Sequence, residues 1–88
     1  MARWRKLGII AGAGALPRRL ADAASGDGAP FVVRLAGIAD ANFSAFPNAE
    51  CGLAEVGKTI RTLKDAGCDA VVLAGVVRRP DFSQLKPD

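Results

Sequence analysis

A glycine-rich turn, Gly12-Ala13-Gly14-Ala15, follows the first apolar run of the chain and precedes Leu16-Pro17. Glycines allow a backbone to approach a ligand closely, and the free N–H groups of a first helical turn attract phosphate. The spacing Gly12-x-Gly14-x-x-Pro17 lacks the third glycine of the dinucleotide fingerprint, and no acid closes the second apolar run, which disfavours NAD binding. Two interpretations stay open: a phosphate or nucleotide contact, and a purely structural strand-to-helix turn.

A second turn with chemically useful side chains, Gly75 to Asp81, follows the last apolar run. Arg78 and Arg79 carry planar guanidinium groups whose paired donors match phosphate oxygens. If the first and last strands are neighbours, these arginines lie at the same sheet edge as the glycine-rich turn. The alternative is that Arg79 pairs with Asp81 and stiffens a turn before Phe82.

Residue types exclude several kinds of site. Histidine is absent, which rules out a Ser-His-Asp or Cys-His mechanism within this chain. Cys51 and Cys68 show no C-x-x-C spacing, so we expect reduced thiols and neither a disulfide framework nor a zinc site. Lys58 lacks the frame of a phosphate-binding P-loop and is predicted to be an exposed helix residue. No catalytic residue and no metal ligand is assigned.

Composition bounds the class of protein. With 88 residues, half of them apolar, the chain predicts one small domain with a packed core. A net charge of +3, no tyrosine, one tryptophan and no recognised motif disfavour nucleic-acid binding. No apolar run is long enough to span a bilayer and no signal-peptide pattern opens the chain, so a cytoplasmic protein is expected.

The elements that must position the two turns follow from the apolar pattern. Short apolar runs without alternation are typical of strands buried on both faces of a parallel sheet. Helical spacing of apolar residues, with a proline in the first turn and a glycine cap after the last, predicts the helices. The predicted strands are Lys6 to Ala11, Phe31 to Leu35 and Ala70 to Ala74; the predicted helices run from Leu16 to Ala24 and from Val56 to Ala66, before Gly67.

The middle of the chain carries weaker signals. Asp40 and Pro47 mark turns between Gly37 and Pro47, while Phe43 and Phe46 are expected to attach this loop to the core. Glu50 to Val56 is expected to hold a short strand. The resulting order predicts an α/β fold: a Rossmann-like, three-layer αβα fragment with a mostly parallel sheet and the first strand beside the last. Ligands of such sheets bind outside the carboxyl ends of the strands.

Three stretches carry a family resemblance: LGIIAGAGALP (7–17), Glu55-Val56-Gly57-Lys58, and AGCDAVVLAGVVRRPDF (66–82). Together they resemble the start of the UDP-2,3-diacylglucosamine pyrophosphatase family of the LpxI type. The resemblance implies a bacterial lipid A pathway hydrolase that uses a divalent metal, typically Mg²⁺, to split UDP-2,3-diacylglucosamine into lipid X and UMP. It also implies a Rossmann-like amino-terminal domain, a separate carboxyl-terminal domain, and substrate held between them.

On this resemblance, residues 1–88 form a single but incomplete amino-terminal domain of a longer two-domain enzyme, inactive alone. The catalytic carboxylate and the magnesium ligands are expected outside the chain. The partner implied is the UDP-linked glycolipid, and a homo-oligomer and a peripheral contact with the inner membrane through that substrate stay open. The implied substrate contacts are Gly12, Ala13, Gly14, Ala15, Gly75, Val76 and Arg79.

A different class of function is the alternative: a non-catalytic module with a degenerate Rossmann-like fold that senses a nucleotide or mediates assembly. The lack of any recognisable acid-base constellation in the chain supports it. An exposed apolar surface would favour self-association of such a module.

Overall fold

The computed structural model describes residues 5–25 and 29–77. These residues form one sheet in the strand order β3-β2-β1-β4, and every neighbouring pair is parallel. The α/β prediction is confirmed, and so is the position of the first strand beside the last. The elements in chain order are β1 (Leu7–Ala11), α1 (Leu16–Ala24), β2 (Phe31–Leu35), β3 (Asn48–Cys51), α2 (Val56–Asp65) and β4 (Ala70–Ala74).

Helix α1 begins at the glycine-rich turn without a side-chain cap, and Pro17 lies in its first turn. A proline is suited to that position because its missing N–H would be unpaired there in any case. Ala21 and Ala24 face the sheet and are buried, and their small side chains allow a close approach. On the outer side Arg18 pairs with Asp22 at 3.2 Å, one helical turn away.

Helix α2 begins after a short turn that the side chain of Glu55, the residue before the helix, closes. The Glu55 carboxylate accepts a hydrogen bond from the Gly52 amide at 2.6 Å. Thr59 and Leu63 are the buried residues of the helix. Gly67, with φ of 84°, ends it in the left-handed conformation expected of a glycine cap.

The two helices cover opposite faces of the sheet, which gives the predicted three layers. Successive strand residues point to opposite faces. On the α1 side, Ile9 and Val32 are fully buried together with Ala21. On the α2 side, Val33 and Leu63 pack with each other in a separate cluster.

The loop between β2 and β3 is attached to the core by its two phenylalanines, as predicted. Phe43 is buried in the α1-side cluster, and Phe46 packs partly against it. The Arg18 guanidinium lies 5.3 Å from the centre of the Phe46 ring and donates a hydrogen bond to the Asn42 carbonyl at 2.6 Å. Helix α1 and this loop therefore form one unit.

The short third strand lies earlier than predicted. It spans Asn48–Cys51, in register with Val32 to Leu35 of β2, and residues 53–54 form a turn before α2. The expectation of a strand over Glu50 to Val56 is therefore right only at its start. Glu50 and Cys51 pair with β2, whereas Glu55 closes the turn and Val56 opens the helix.

The prediction that Ala70 to Ala74 is buried on both faces is wrong. Val71, Val72 and Leu73 are 53%, 36% and 59% exposed. Among the described strands β4 lies at the edge of the sheet, and α2 packs over β2 and β3 at the other side. For the same reason Val56 and Ile60 of the predicted apolar stripe are more than half exposed.

Candidate functional site

The strand order reverses at β1 and β4. From β1 the chain adds β2 and then β3 on one side, and β4 on the other. Open α/β sheets bind ligands outside the carboxyl ends of their strands at such a point. The glycine-rich turn, residues 12–15, leaves the carboxyl end of β1, and Gly75 leaves the carboxyl end of β4.

Direct backbone hydrogen bonds join the two turns. The Ala13 amide donates to the Val76 carbonyl at 2.8 Å, and the Val76 amide donates to the Ala13 carbonyl at 2.9 Å. The Gly12 amide donates to the Ala74 carbonyl at 2.8 Å. Gly12, Ala13, Gly75 and Val76, which the sequence assigns to one site from two distant segments, are therefore in contact.

Close approach explains two of the glycines. A Cβ at Gly12 would lie 2.6 Å from the Val76 carbonyl oxygen, and one at Gly75 would lie 2.7 Å from the Ala13 carbonyl oxygen. Gly14 differs, because its φ is 95° and nothing lies within 4 Å of a Cβ built there. Gly14 thus exposes its backbone at the surface, whereas Gly12 and Gly75 make room for each other's turns.

Asp40, which the sequence analysis identifies only as a turn residue, contacts the glycine-rich turn. The Gly14 amide donates to the Asp40 carboxylate at 2.9 Å, across 26 positions of the chain. Asp40 is exposed in the loop after β2. No local spacing signals this contact, since it depends on β2 lying beside β1. The carboxylate places a negative charge beside the turn proposed to bind phosphate.

The donors that stay free for a ligand are few. The amides of Gly12, Ala13 and Gly14 already have acceptors. A helix leaves its first N–H groups without intrahelical partners, and here those belong to Ala15, Leu16 and Arg18, because Pro17 carries no N–H. No acidic side chain lies in the first turn of α1 to occupy them. An anion at this end of the helix is favoured by the helix dipole.

The other residues that the sequence analysis considered for a site lie away from the two turns or outside the described residues. Arg79, with Arg78, Asp81 and Phe82, falls outside the described residues. Lys58 is exposed on α2, as predicted, and its amine lies 3.9 Å from the Glu55 carboxylate.

The described residues alone do not fit a magnesium ion. Within the ranges 5–25 and 29–77, no three histidine, cysteine or acidic side chains converge on a point. Mg²⁺ prefers several oxygen ligands in octahedral geometry, and at the two turns the side-chain carboxylate in contact is that of Asp40.

An apolar groove of about 210 Å³ lies on the α2 side of the sheet, next to the carboxyl end of β4. It opens because α2 packs mainly over β2 and β3, so that the same face of the sheet is only partly covered beside Ile10 of β1 and Leu73 of β4. Its walls include Ile10, Leu35, Val56, Ile60 and Leu73.

A second cavity, of about 330 Å³, has a mixed polar and apolar lining and lies between Arg34 and the loop that contains Asn42 and Ser44. Arg34 donates from Nε to Asn48 Oδ1 at 2.8 Å, and its Nη1 lies 3.8 Å from Glu50. The Asn48 amide nitrogen donates to two carbonyls of the same loop. These groups bond to one another and fasten the loop to the sheet.

The groups with shifted pKa values lie at the opposite, amino end of the sheet. The amides of Arg5 and Lys6 donate to the Asp69 carboxylate and hold its pKa below the usual value. Burial raises the pKa of the Cys68 thiol. Both Cys51 and Cys68 are free, as predicted, and neither contacts the two turns.

Neither helix in the described part of the chain is long and apolar enough to cross a bilayer.

Comparison with known proteins agrees with this arrangement. The family model of the LpxI N-terminal domain matches residues 6–88, a range that contains both turns. A curated relative from Caulobacter vibrioides, the UDP-2,3-diacylglucosamine pyrophosphatase LpxI, is 49% identical over 85 residues, which cover 96% of this chain. The chain spans only 30% of that relative's length.

Proposed function

Because the chain belongs to the LpxI N-terminal domain family, we propose that it is the nucleotide-side part of the substrate cleft of a UDP-2,3-diacylglucosamine pyrophosphatase. The reaction would split the substrate into lipid X and UMP in lipid A biosynthesis. The remaining two thirds of such an enzyme would supply the catalytic carboxylate and the magnesium ligands, so the chain alone is inactive. We also propose that the protein is cytoplasmic and contacts the inner membrane through its substrate.

The observation that carries the proposal is the pair of joined turns at the strand-order reversal. Gly14 exposes its backbone there, and the first amides of α1 point to the same end of the sheet. Backbone N–H groups at a helix start suit a diphosphate, because they donate hydrogen bonds and carry partial positive charge. In this proposal Ala15 and Gly14 line the phosphate, Gly12, Ala13, Gly75 and Val76 fix the turn, and Arg79 adds a guanidinium.

Calorimetric titration of UDP into the 88-residue chain tests the proposal, with full-length Caulobacter LpxI measured in parallel. We expect saturable binding to both and UMP release only by the long enzyme. Binding to the long enzyme alone would mean that the nucleotide site is completed from the other segment. In that case the family assignment survives and the proposed role of these residues fails.

Removal of magnesium tests whether the metal ligands lie in this chain or in the rest of the enzyme. Since the two turns contact one side-chain carboxylate, we expect EDTA to leave UDP affinity of the 88-residue chain unchanged. A large loss of affinity on chelation would place metal ligands in this chain and contradict the division of labour proposed above.

The substitution Gly14→Asp tests the turn itself. It adds a negative charge and a Cβ at the exposed backbone, and we expect UDP binding to disappear. Gly67→Asp is the matched control, because Gly67 also has positive φ and open space but caps α2 at the other end of the sheet. Equal losses in both variants would indicate backbone strain and not a phosphate contact.

A non-catalytic assembly module is the second candidate, and the exposed apolar strand β4 favours it. It predicts self-association of the chain without UDP affinity. The titration above separates the two, because the module would give no heat with UDP at any magnesium concentration.

A further inference from the structure

We propose that the cavity between Arg34 and the loop after β2 is the pocket that binds the base of the nucleotide, and that it selects uracil over cytosine. This inference rests on the proposed function, because it takes the phosphates of UDP to lie at the glycine-rich turn. The cavity has a volume of about 330 Å³, at the lower end for small-molecule pockets. All the residues that line it belong to the described part of the chain.

The pocket lies directly beside the glycine-rich turn. In the sheet, Arg34 is in register with Ala11, the last residue before the turn, and neighbouring strands are about 4.8 Å apart. In the loop, Ala41 lines the pocket and follows Asp40, whose carboxylate accepts a hydrogen bond from the Gly14 amide. A nucleotide has one sugar ring between its first phosphate and its base. A phosphate at the turn therefore brings the base within reach of the pocket.

The guanidinium of Arg34 is held in place without a ligand. Its Nε donates to Asn48 Oδ1 at 2.8 Å, and Asn48 is itself fixed by hydrogen bonds to two carbonyls of the loop. Its other donors are on Nη1 and Nη2. The Glu50 carboxylate lies 3.8 Å from Nη1, which is longer than a hydrogen bond. Arg34 therefore offers donors to a ligand at little cost in side-chain ordering.

The loop supplies two further polar groups. The Asn42 side-chain oxygen accepts from the Ser44 amide at 2.8 Å, which orients the Asn42 side chain. Within residues 5–25 and 29–77, neither the Asn42 NH₂ group nor the Ser44 hydroxyl donates to another residue. Ala41 and Phe43 form the apolar part of the wall, which suits the flat face of a base. The pocket thus combines an apolar wall with hydrogen-bond donors.

A pocket of donors distinguishes the two pyrimidines. Uracil presents a carbonyl oxygen at O4, as thymine does, whereas cytosine presents an amino group at the same place. The Arg34 guanidinium and the Asn42 amide can donate to a carbonyl, but the cytosine amino group would face donors and stay unpaired. One lost hydrogen bond costs roughly tenfold in affinity. We therefore expect the chain to bind UDP roughly tenfold more tightly than CDP.

Two carboxylates next to the pocket favour a neutral ligand over a second anion. Glu50 lies 3.8 Å from the Arg34 guanidinium, and Asp40 precedes Ala41 in the wall. Their charges offset the charge of Arg34, so the net attraction for an anion is small. Hydrogen bonds to the carbonyl oxygen of a base are not weakened in this way.

Calorimetric titration of UDP, CDP and inorganic pyrophosphate into the 88-residue chain tests the pocket. We expect Arg34→Gln and Ser44→Ala each to reduce the preference for UDP over CDP from roughly tenfold to below about threefold. Pyrophosphate affinity should stay unchanged in both variants, because the glycine-rich turn is intact. Arg61→Gln is the matched control, since it removes the same charge from an exposed position on α2.

Asn42→Asp tests the donor pattern and keeps the contact within the loop. The carboxylate can still accept from the Ser44 amide, but it has no N–H to offer a carbonyl. The preference for UDP over CDP should therefore fall. The added charge acts on the phosphates of both nucleotides, so it cancels in the ratio. Circular dichroism checks that each variant is folded.

The outcomes separate this inference from the proposed function. UDP binding with no preference over CDP, or with a preference unchanged in Arg34→Gln, Ser44→Ala and Asn42→Asp, would overturn the base pocket and leave the proposed function standing. Loss of pyrophosphate affinity in Arg34→Gln but not in Arg61→Gln would identify an anion site and also overturn it. A parent chain that binds no UDP would overturn both proposals.

Discussion

Gly14 and Gly75 both have positive φ, yet each is needed for a different reason. At Gly75 a side chain would collide with the backbone of the neighbouring turn, whereas at Gly14 it would project into open space. Gly75 is therefore a requirement of the fold, and Gly14 is available to a ligand. Sequence spacing alone treats them as equivalent members of glycine-rich turns.

The collision at Gly75 predicts a stability effect. Gly75→Ala should destabilise the chain by about 3 kcal/mol, because the Cβ would displace Ala13 in addition to the strain of positive φ. Gly37→Ala, at φ of 75° and in open space, should cost only about 1 kcal/mol. Urea unfolding monitored by circular dichroism measures both. Similar losses would show that the contact between the turns contributes nothing to stability.

The Asp40 carboxylate predicts a binding effect if the turn holds phosphate. Asp40→Asn keeps an oxygen that can accept from the Gly14 amide and removes the negative charge. Like charges about 4 Å apart in water repel by about 1 kcal/mol, so UDP affinity should rise roughly fivefold. Titration at 0.05 M and 0.5 M salt checks this, and the gain should shrink at high salt.

Asp65→Asn is the matched control for that charge change. It alters net charge equally but lies on α2, whose last turn is at the opposite end of the sheet. A gain of the same size in both variants would point to overall charge and not to the contact at Gly14.

The lowered pKa of Asp69 predicts how the free energy of unfolding depends on pH. Its pKa is lowered in the folded state by the amides of Arg5 and Lys6, so it stabilises the fold above its unfolded pKa. That contribution disappears as pH falls below about 4, through the folded pKa. Asp69→Asn should therefore lose less stability than the parent chain between pH 5 and pH 3. Urea midpoints at those pH values measure it, and an unchanged pH dependence would contradict it.

At the scale of single elements, the apolar pattern identified strands and helices but not what covers them. An uninterrupted apolar run is typical of a central strand, and β1 and β2 fit that description. Strand β4 has the same composition at an edge, because burial of a strand depends on neighbours that its own residues do not encode. Similarly, the predicted stripe of α2 contains Leu63, which is buried, and Ile60, which is exposed.

This difference within α2 predicts unequal mutational costs. Leu63→Ala should destabilise the chain by about 3 kcal/mol, because Leu63 is 3% exposed and packs against Val33 and Cys51. Ile60→Ala should cost less than about 1 kcal/mol, since that side chain is 57% exposed. Urea unfolding compares them. Equal costs would mean that the groove beside Ile60 is filled in solution.

At the scale of the whole molecule, most of the fold and the adjacency of the two turns could be predicted. Parallel strands joined by helices bring the turns after β1 and β4 to one edge, so adjacency followed from topology. The bond between Asp40 and Gly14 could not be predicted, because it links two loops through the arrangement of β2 beside β1. The substrate contacts themselves remain a prediction, and Arg79 lies outside the described residues.

The bridge between Ala13 and Val76 joins the segment after β4 to the glycine-rich turn. Because the same two hydrogen bonds hold both segments, we expect a change in one to displace the other. If UDP binds at the turn and stabilises this junction, reciprocity requires that loss of the junction weakens UDP affinity by an equal factor. UDP titrations of the parent chain and Gly75→Ala, with urea unfolding of both in saturating UDP, would measure that factor from both directions.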